Sequence, residues 1–271
     1  MYGKIKRIFE EPPFRLVTYF VVKLFAKSIR TIDRWGAVDR PHYLAGVLAA
    51  ADQALREHIT EISVFEFGVA GGNGLIALQT YADAVEKETG VSIRVFGFDT
   101  GEGLPEPCND YRDHPDQWMV SDYKMDIPKL QRRLAERTEL RLGNIKDTVP
   151  RFVLENHPPV GFIACDVDLY SSTMDMFQIL TLPGKRMLRK VFMYFDDVDF
   201  IFNHRFGGEL LAIQEFNESN PLVKIDEWRG LKKGKVFIDQ LWFEKMFIAH
   251  DLDAINRFVS SRLPSADCSL D

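Results

Sequence analysis

Ile62-Ser63-Val64-Phe65-Glu66-Phe67, followed by Gly68-Val69-Ala70-Gly71-Gly72-Asn73-Gly74, is the stretch on which the fold turns. The first six residues read as a short buried strand, rich in β-branched and aromatic side chains. The glycines that follow let the chain turn tightly and bring backbone N–H groups close to a ligand. Beyond them Leu75, Ile76, Leu78, Tyr81, Ala82 and Val85 share one face of a helix. Strand, glycine turn and helix together open an α/β sheet, and ligands in such sheets sit outside the carboxyl ends of the strands.

The alternation continues outward from this unit. Strands are expected at Val91–Phe98, Glu139–Leu142, Val160–Cys165 and Lys190–Phe195, with helices over 41–58, 128–137, 146–155, from about Ser172, and 208–217. Leu222–Trp228 and Gln240–Ile248 read as an antiparallel pair closing the sheet, before a terminal helix over 251–262. This pattern predicts a mostly parallel sheet covered by helices on both faces. Residues 100–127 form a long polar, proline-containing stretch, of a length that points to a lid. His114, Trp118 and Tyr123 within it are candidates for an acceptor lid.

Acids gather where the strands end. Val160–Cys165 runs into Asp166-Val167-Asp168, and Val191–Phe195 runs into Asp196-Asp197. Unpaired charge is costly beside a buried strand, so four aspartates closing two strands point to chemistry. A single aspartate there would be an ordinary helix cap or loop acid. Asp99 ends another strand, where a ribose diol is commonly gripped, and Asn144 follows the next at a position suited to an adenine contact.

Glycine spacing discriminates between cofactors. A dinucleotide site would read G-x-G-x-x-G, and a P-loop would carry a lysine after its glycines. This turn reads G-x-x-G-G-x-G behind Glu66, the arrangement seen in S-adenosylmethionine (SAM) methyltransferases. With Glu66-Phe67-Gly68-Val69, Gly97-Phe98-Asp99-Thr100-Gly101-Glu102-Gly103-Leu104-Pro105, Lys146-Asp147-Thr148-Val149-Pro150, Asp166-x-Asp168-Leu-Tyr-x-Ser-Thr and Asp196-Asp197 in that order, the chain resembles the macrocin O-methyltransferase (TylF/MycF-like) family. The likeness spans roughly residues 60–220 and departs from the family at Gly101, which usually is an aromatic, and in an expanded segment from Glu106 to Met125.

The resemblance implies a Rossmann-like class I methyltransferase sheet, SAM and Mg²⁺ as cofactors, and a hydroxyl of a sugar or glycosylated natural product as the acceptor. Glu66, Gly68, Gly72, Gly74, Asp99, Thr100, Asn144 and Asp166 would line the cofactor site. Asp166, Asp196 and Asp197 would hold the metal and Asp168 would be the general base, with His204 as a second candidate facing the acceptor. An alcohol holds its proton tightly at neutral pH, so a cation on its oxygen and a carboxylate beside it are the two devices such a transfer needs. The competing readings are a non-catalytic SAM-fold binding protein, which would be expected to lose some of the four aspartates, and a metal-independent N- or C-methyltransferase.

Composition sets the remaining bounds. A chain of 271 residues with 46% hydrophobic content fills its core without disulfides, and three widely spaced cysteines favour a reducing, cytoplasmic setting. A net charge of −6 argues against general nucleic-acid binding. Residues 1–34 nevertheless carry +5, leaving −11 for the rest. The expected division is a basic helical extension over 1–58 and a methyltransferase domain over 59–271. The apolar run Leu16–Ala26 is too short to cross a bilayer. Contact of residues 1–34 with a membrane surface is one reading of this arm. Packing on the domain or a second subunit is the preferred one, with a homo-oligomer expected.

Overall fold

The computed structural model describes residues 11–257 apart from 13, 109, 184, 185 and 202. Seven strands form one sheet: β1 (Glu61–Phe67), β2 (Ser92–Asp99), β3 (Thr138–Leu142), β4 (Val160–Cys165), β5 (Met187–Phe195), β6 (Val223–Glu227) and β7 (Met246–Asp251). Their order is β3-β2-β1-β4-β5-β7-β6. The first five run parallel, and β7 pairs antiparallel with both β5 and β6. The expected architecture is therefore observed.

Both sheet faces are covered because the strands alternate two apolar sets. Phe65, Phe67, Ile163, Cys165, Met193 and Phe195 face one core. That core is completed by helices α6 (Ile145–Leu154), α7 (Tyr170–Phe177) and α8 (Gly208–Ser219). Ile62, Val64, Phe162, Ala164, Phe192 and Tyr194 face the other. There α3 (Pro41–Arg56) and α4 (Asn73–Thr89) pack. Helix α3 lies inside the expected N-terminal extension, yet Tyr43, Leu44, Val47 and Ala50 are fully buried against the sheet. Ahead of it stand α1 (Phe14–Phe25) and α2 (Ile29–Trp35).

Element ends differ from expectation where tertiary packing sets them. Helix α5 (Ile127–Gln131) is shorter than the expected 128–137. It is capped by the Asp126 side chain accepting from Lys129 N–H at 3.1 Å, but its one buried residue is Leu130, so no apolar stripe extends it. The last strand starts at Met246, after a 3₁₀ turn over Leu241–Lys245, whereas Gln240 was expected to begin it. Antiparallel pairing with β5, from Tyr194↔Met246 to Lys190↔His250, fixes that register, and Leu241 is 77% exposed. The final helix, α9, covers Leu252–Arg257, and the rest of the expected span lies outside the described residues.

Register then places the site. Phe67 lies level with Phe98 and with Cys165, and Cys165 level with Phe195. Gly68, Asp99, Asp166 and Asp196 consequently leave the sheet side by side. The strand order reverses between β1 and β4, which is where a ligand crevice forms in such sheets.

Candidate active site

A cavity of about 320 Å³ opens at these strand ends. Its wall includes Gly68, Asp99, Thr100 and Asn144 together with Asp166, Asp168, Asp196 and Asp197. The sequence-predicted aspartates are thus brought together. Two ladder-extending hydrogen bonds carry them there, Asp166 N–H to Phe67 O at 2.9 Å and Asp196 N–H to Cys165 O at 3.0 Å.

Asp99 organises the glycine turn. One carboxylate oxygen accepts from Val69 and Ala70 N–H at 2.8 and 2.9 Å, and the other from Gly101 N–H at 2.6 Å. Three of its roughly four acceptor directions are taken by backbone. Asn144 caps α6 through its carbonyl oxygen, which accepts from Lys146 N–H at 3.1 Å. Thr100 donates to Gly103 O at 2.6 Å and shapes the start of the long loop.

Several expected site residues lie elsewhere than on the cavity wall. Glu66 is buried one layer beneath, where Tyr43 Oη donates to it at 2.6 Å. A Cβ on Gly74 would sit 1.7 Å from its Oε1, so that glycine makes room for the carboxylate. Burial pushes Glu66 up to about 8, against the opposing effects of the Tyr43 hydrogen bond and Arg40. Gly72 packs toward Leu130 and likewise does not line the cavity. His204 is exposed and outside the cavity lining, its ring 4.6 Å from that of His114.

The acidic end is electrostatically loaded. Asp166 and Asp168 are each raised to about 7 and Asp197 to about 8, mainly by burial and then by the neighbouring aspartate charges, that of Asp196 acting on all three. Asp168 holds a left-handed backbone, φ 60°, which Asp and Asn tolerate better than most residues. Asp196 is engaged differently: Tyr194 Oη donates to it, and Lys245 Nζ lies 3.5 Å from its carboxylate. Lys245 also donates to the Asp196 carbonyl at 2.6 Å and pairs with Asp199 at 2.8 Å.

Sequence reasoning missed Glu209. This fully buried acid accepts from Asp197 N–H at 2.8 Å, and burial and Asp197 hold it protonated well above the usual range. Its Oε1 and Asp197 Oδ2 are buried without hydrogen-bond partners. The signal was available: Glu209 shares the helical face of Ala212, Ile213 and Phe216, an apolar stripe on which an acid is out of place. Arg40 and Tyr43 were missed too. The Arg40 guanidinium sits 5.2 Å from the Tyr43 ring and lowers both Glu66 and Asp166, making it the N-terminal segment's cation at this end.

Of the three aspartates expected to hold a metal, Asp197 alone has a buried oxygen without a partner, Oδ2, the kind of group a hard divalent cation would relieve. As the side chains stand, no group of three His, Cys, Asp or Glu among the described residues is arranged to hold a metal ion.

The long loop is a wall of the cavity. Gly103, Leu104, Pro105, Trp118, Asp122 and Tyr123 all line it. Asp113, fully buried, pins the loop to the start of α7 by accepting from Ser171 N–H at 2.7 Å and Ser171 Oγ at 2.8 Å. His114 is buried against Phe200, with ring centroids 5.2 Å apart. Replacing Asp113 by Ala should therefore speed proteolytic cleavage within residues 104–125 by about tenfold while leaving global unfolding cooperative. An unchanged cleavage rate would show that the loop is held by other contacts.

No protein-family model matches this sequence, and no curated protein matches it. Among solved structures, the calicheamicin methyltransferase CalS11 is similar with a TM-score of 0.53 and 19% sequence identity, over 76% of this chain and 77% of that one. The O-methyltransferase NovP aligns at a TM-score of 0.49 and 16% identity, over 78% and 79% of the two chains. The strand order and the CalS11 likeness define a class I methyltransferase fold.

Proposed function

We propose that the protein transfers a methyl group from SAM to a hydroxyl of a small acceptor, a sugar or glycosylated metabolite. The observation that carries this reading is a single cavity lined by the glycine turn, Asp99 and the four aspartates that close β4 and β5. Asp99, Thr100 and Asn144 would face the nucleoside, and Arg40 would draw the cofactor's carboxylate tail toward the Glu66 end. Similarity to CalS11, a methyltransferase of calicheamicin, supports the fold half of the reading and is consistent with a glycosylated acceptor.

In-line transfer from a sulfonium depends chiefly on positioning, and the walls supplied by the long loop would hold the acceptor and exclude water. Asp168 would take the hydroxyl proton. Its site, buried and crowded by Asp166 and Asp196, raises its proton affinity toward neutrality, where a general base works best. Asp166, Asp196 and Asp197 would hold Mg²⁺, which when bound supplies a Lewis acid that makes the acceptor hydroxyl easier to ionise. Glu209, behind Asp197, would steady that side chain through the Asp197 backbone.

Metal and pH should act together on stability. Folded-state values raised to about 7, 7 and 8 for Asp166, Asp168 and Asp197 mean that the native chain holds protons that the unfolded chain has released. Their contribution is intact below about pH 4 and is lost as pH rises through 7 to 8. Metal-free protein should therefore lose at least about 2 kcal/mol from these groups between pH 5 and pH 8.5. Millimolar Mg²⁺ should raise Tm by several degrees at pH 8.5 and have little effect at pH 5. Equal Tm with and without Mg²⁺ at pH 8.5, across a full titration, would remove the metal from the proposal.

A further inference from the structure

Helix α1 turns toward solvent the side that a packed helix would bury. None of its residues is buried. Leu16, Val17, Phe20, Val21, Leu24 and Phe25 are 51–74% exposed, and with Phe14 they cover one continuous half of the helix. Its inner side is defined. Tyr19 packs edge-on against Phe237 at 5.6 Å, and the Arg15 guanidinium lies 4.9 Å over the same ring. The helix thus lies on the domain in a set orientation, over a cavity of about 220 Å³ whose lining includes Tyr19, Trp35, Phe237 and Trp242 and the edges of Leu16 and Phe20. The helix packs on the domain through Tyr19 and Arg15, and most of its apolar half remains exposed.

Charge decides what covers that face. From residue 12 to residue 32 the chain carries Arg15, Lys23, Lys27 and Arg30 and no acid. Residues 1–34 sum to +5 against −11 for the remainder. Two such arms placed face to face in a dimer would repel each other, whereas an anionic surface attracts them. Arg30 is held by Asp52 and Glu88, while Lys23, 44% exposed and 3.6 Å from the exposed Asp39, and the exposed Lys27 lie at the end of the helix that carries Leu24 and Phe25. Twelve residues span roughly 18 Å. No helix among the described residues is long and apolar enough to cross a membrane. We infer that α1 is a membrane-surface anchor, lying in the interfacial plane of a bilayer rich in anionic lipid with its Phe/Leu/Val half in the acyl boundary and its lysines among the headgroups.

The test uses the full chain and sedimentation with phosphatidylcholine vesicles, with and without about one-third phosphatidylglycerol. Binding to the anionic vesicles should exceed binding to neutral ones by at least about tenfold and fall when salt is raised toward 0.5 M. A Val17→Asp, Leu24→Asp double variant changes exposed positions outside either cavity. It should keep the wild-type Tm and SAM affinity and lose at least about tenfold in vesicle binding. Wild-type protein left in the supernatant with anionic vesicles, or a double variant that binds as well as wild type, would overturn the inference. So would a wild-type dimer that ignores vesicles and becomes monomeric in the double variant, because α1 would then be a face for a second copy. The outcome does not depend on the methyl-transfer reading.

Discussion

Asp168→Asn should lower methyl-transfer turnover by on the order of a hundredfold or more while leaving SAM affinity within about twofold of wild type. The amide cannot accept the acceptor's proton, yet it matches the carboxylate in shape. Asparagine also tolerates the left-handed backbone that position 168 adopts, so the loop should keep its form. Asp166→Asn provides the contrast. Asp166 lies level with Asp196 at the neighbouring strand end, so its loss should weaken Mg²⁺ binding, read by calorimetry, as well as turnover. A fall in turnover with Mg²⁺ binding intact for Asp166→Asn, and the reverse for Asp168→Asn, would exchange the two roles.

Gly68→Ala should be among the most damaging single-methyl changes in the protein. The residue has φ +82°, and a Cβ there would come within 1.7 Å of the Asp166 carbonyl oxygen. That oxygen belongs to backbone held in place by the Asp166 N–H bond to Phe67 O at 2.9 Å, so nothing flexible can give way. Left-handed strain and overpacking together should cost roughly 3 kcal/mol or more. The ends of β1 and β4 would be forced apart, with SAM affinity falling at least about tenfold in any molecules that still fold. Gly71→Ala is the control. Nothing lies within 4 Å of its added Cβ, so urea denaturation should show a change of less than about 1 kcal/mol. Equal midpoints for the two variants would contradict the close-approach account of Gly68.

Those two residues also show why much of the site was legible from sequence. Glycine at a strand end and aspartate at the end of a buried strand are each constrained by local backbone and desolvation physics, so residue type and position report their environment. Parallel pairing then does the rest, because a shared register brings Gly68, Asp99, Asp166 and Asp196 level without further information.

What escaped was set by contacts distant in sequence. Asp113 looks like one more acid in a polar loop until its bonds to Ser171, 58 residues away, are seen. Arg40 and Tyr43 reach the site from the N-terminal segment, and nothing around Arg40 has a period that would mark it. His204, a candidate for facing the acceptor, lies outside the cavity lining beside His114, and its place in an irregular loop gives no period from which that could be read. Glu209 is the exception, since its place on an apolar helical stripe announces burial from sequence alone. The beginning of β7 was misjudged because a 3₁₀ turn and a strand can share the same apolar composition, and only pairing with β5 separates them.

Isothermal titration of the protein with SAM, with S-adenosylhomocysteine and with NAD tests the central claim most directly. The account predicts one-to-one binding of both sulfur nucleosides with micromolar or tighter Kd and no measurable heat from NAD. Binding of NAD, or of none of the three by protein that unfolds cooperatively, would contradict it.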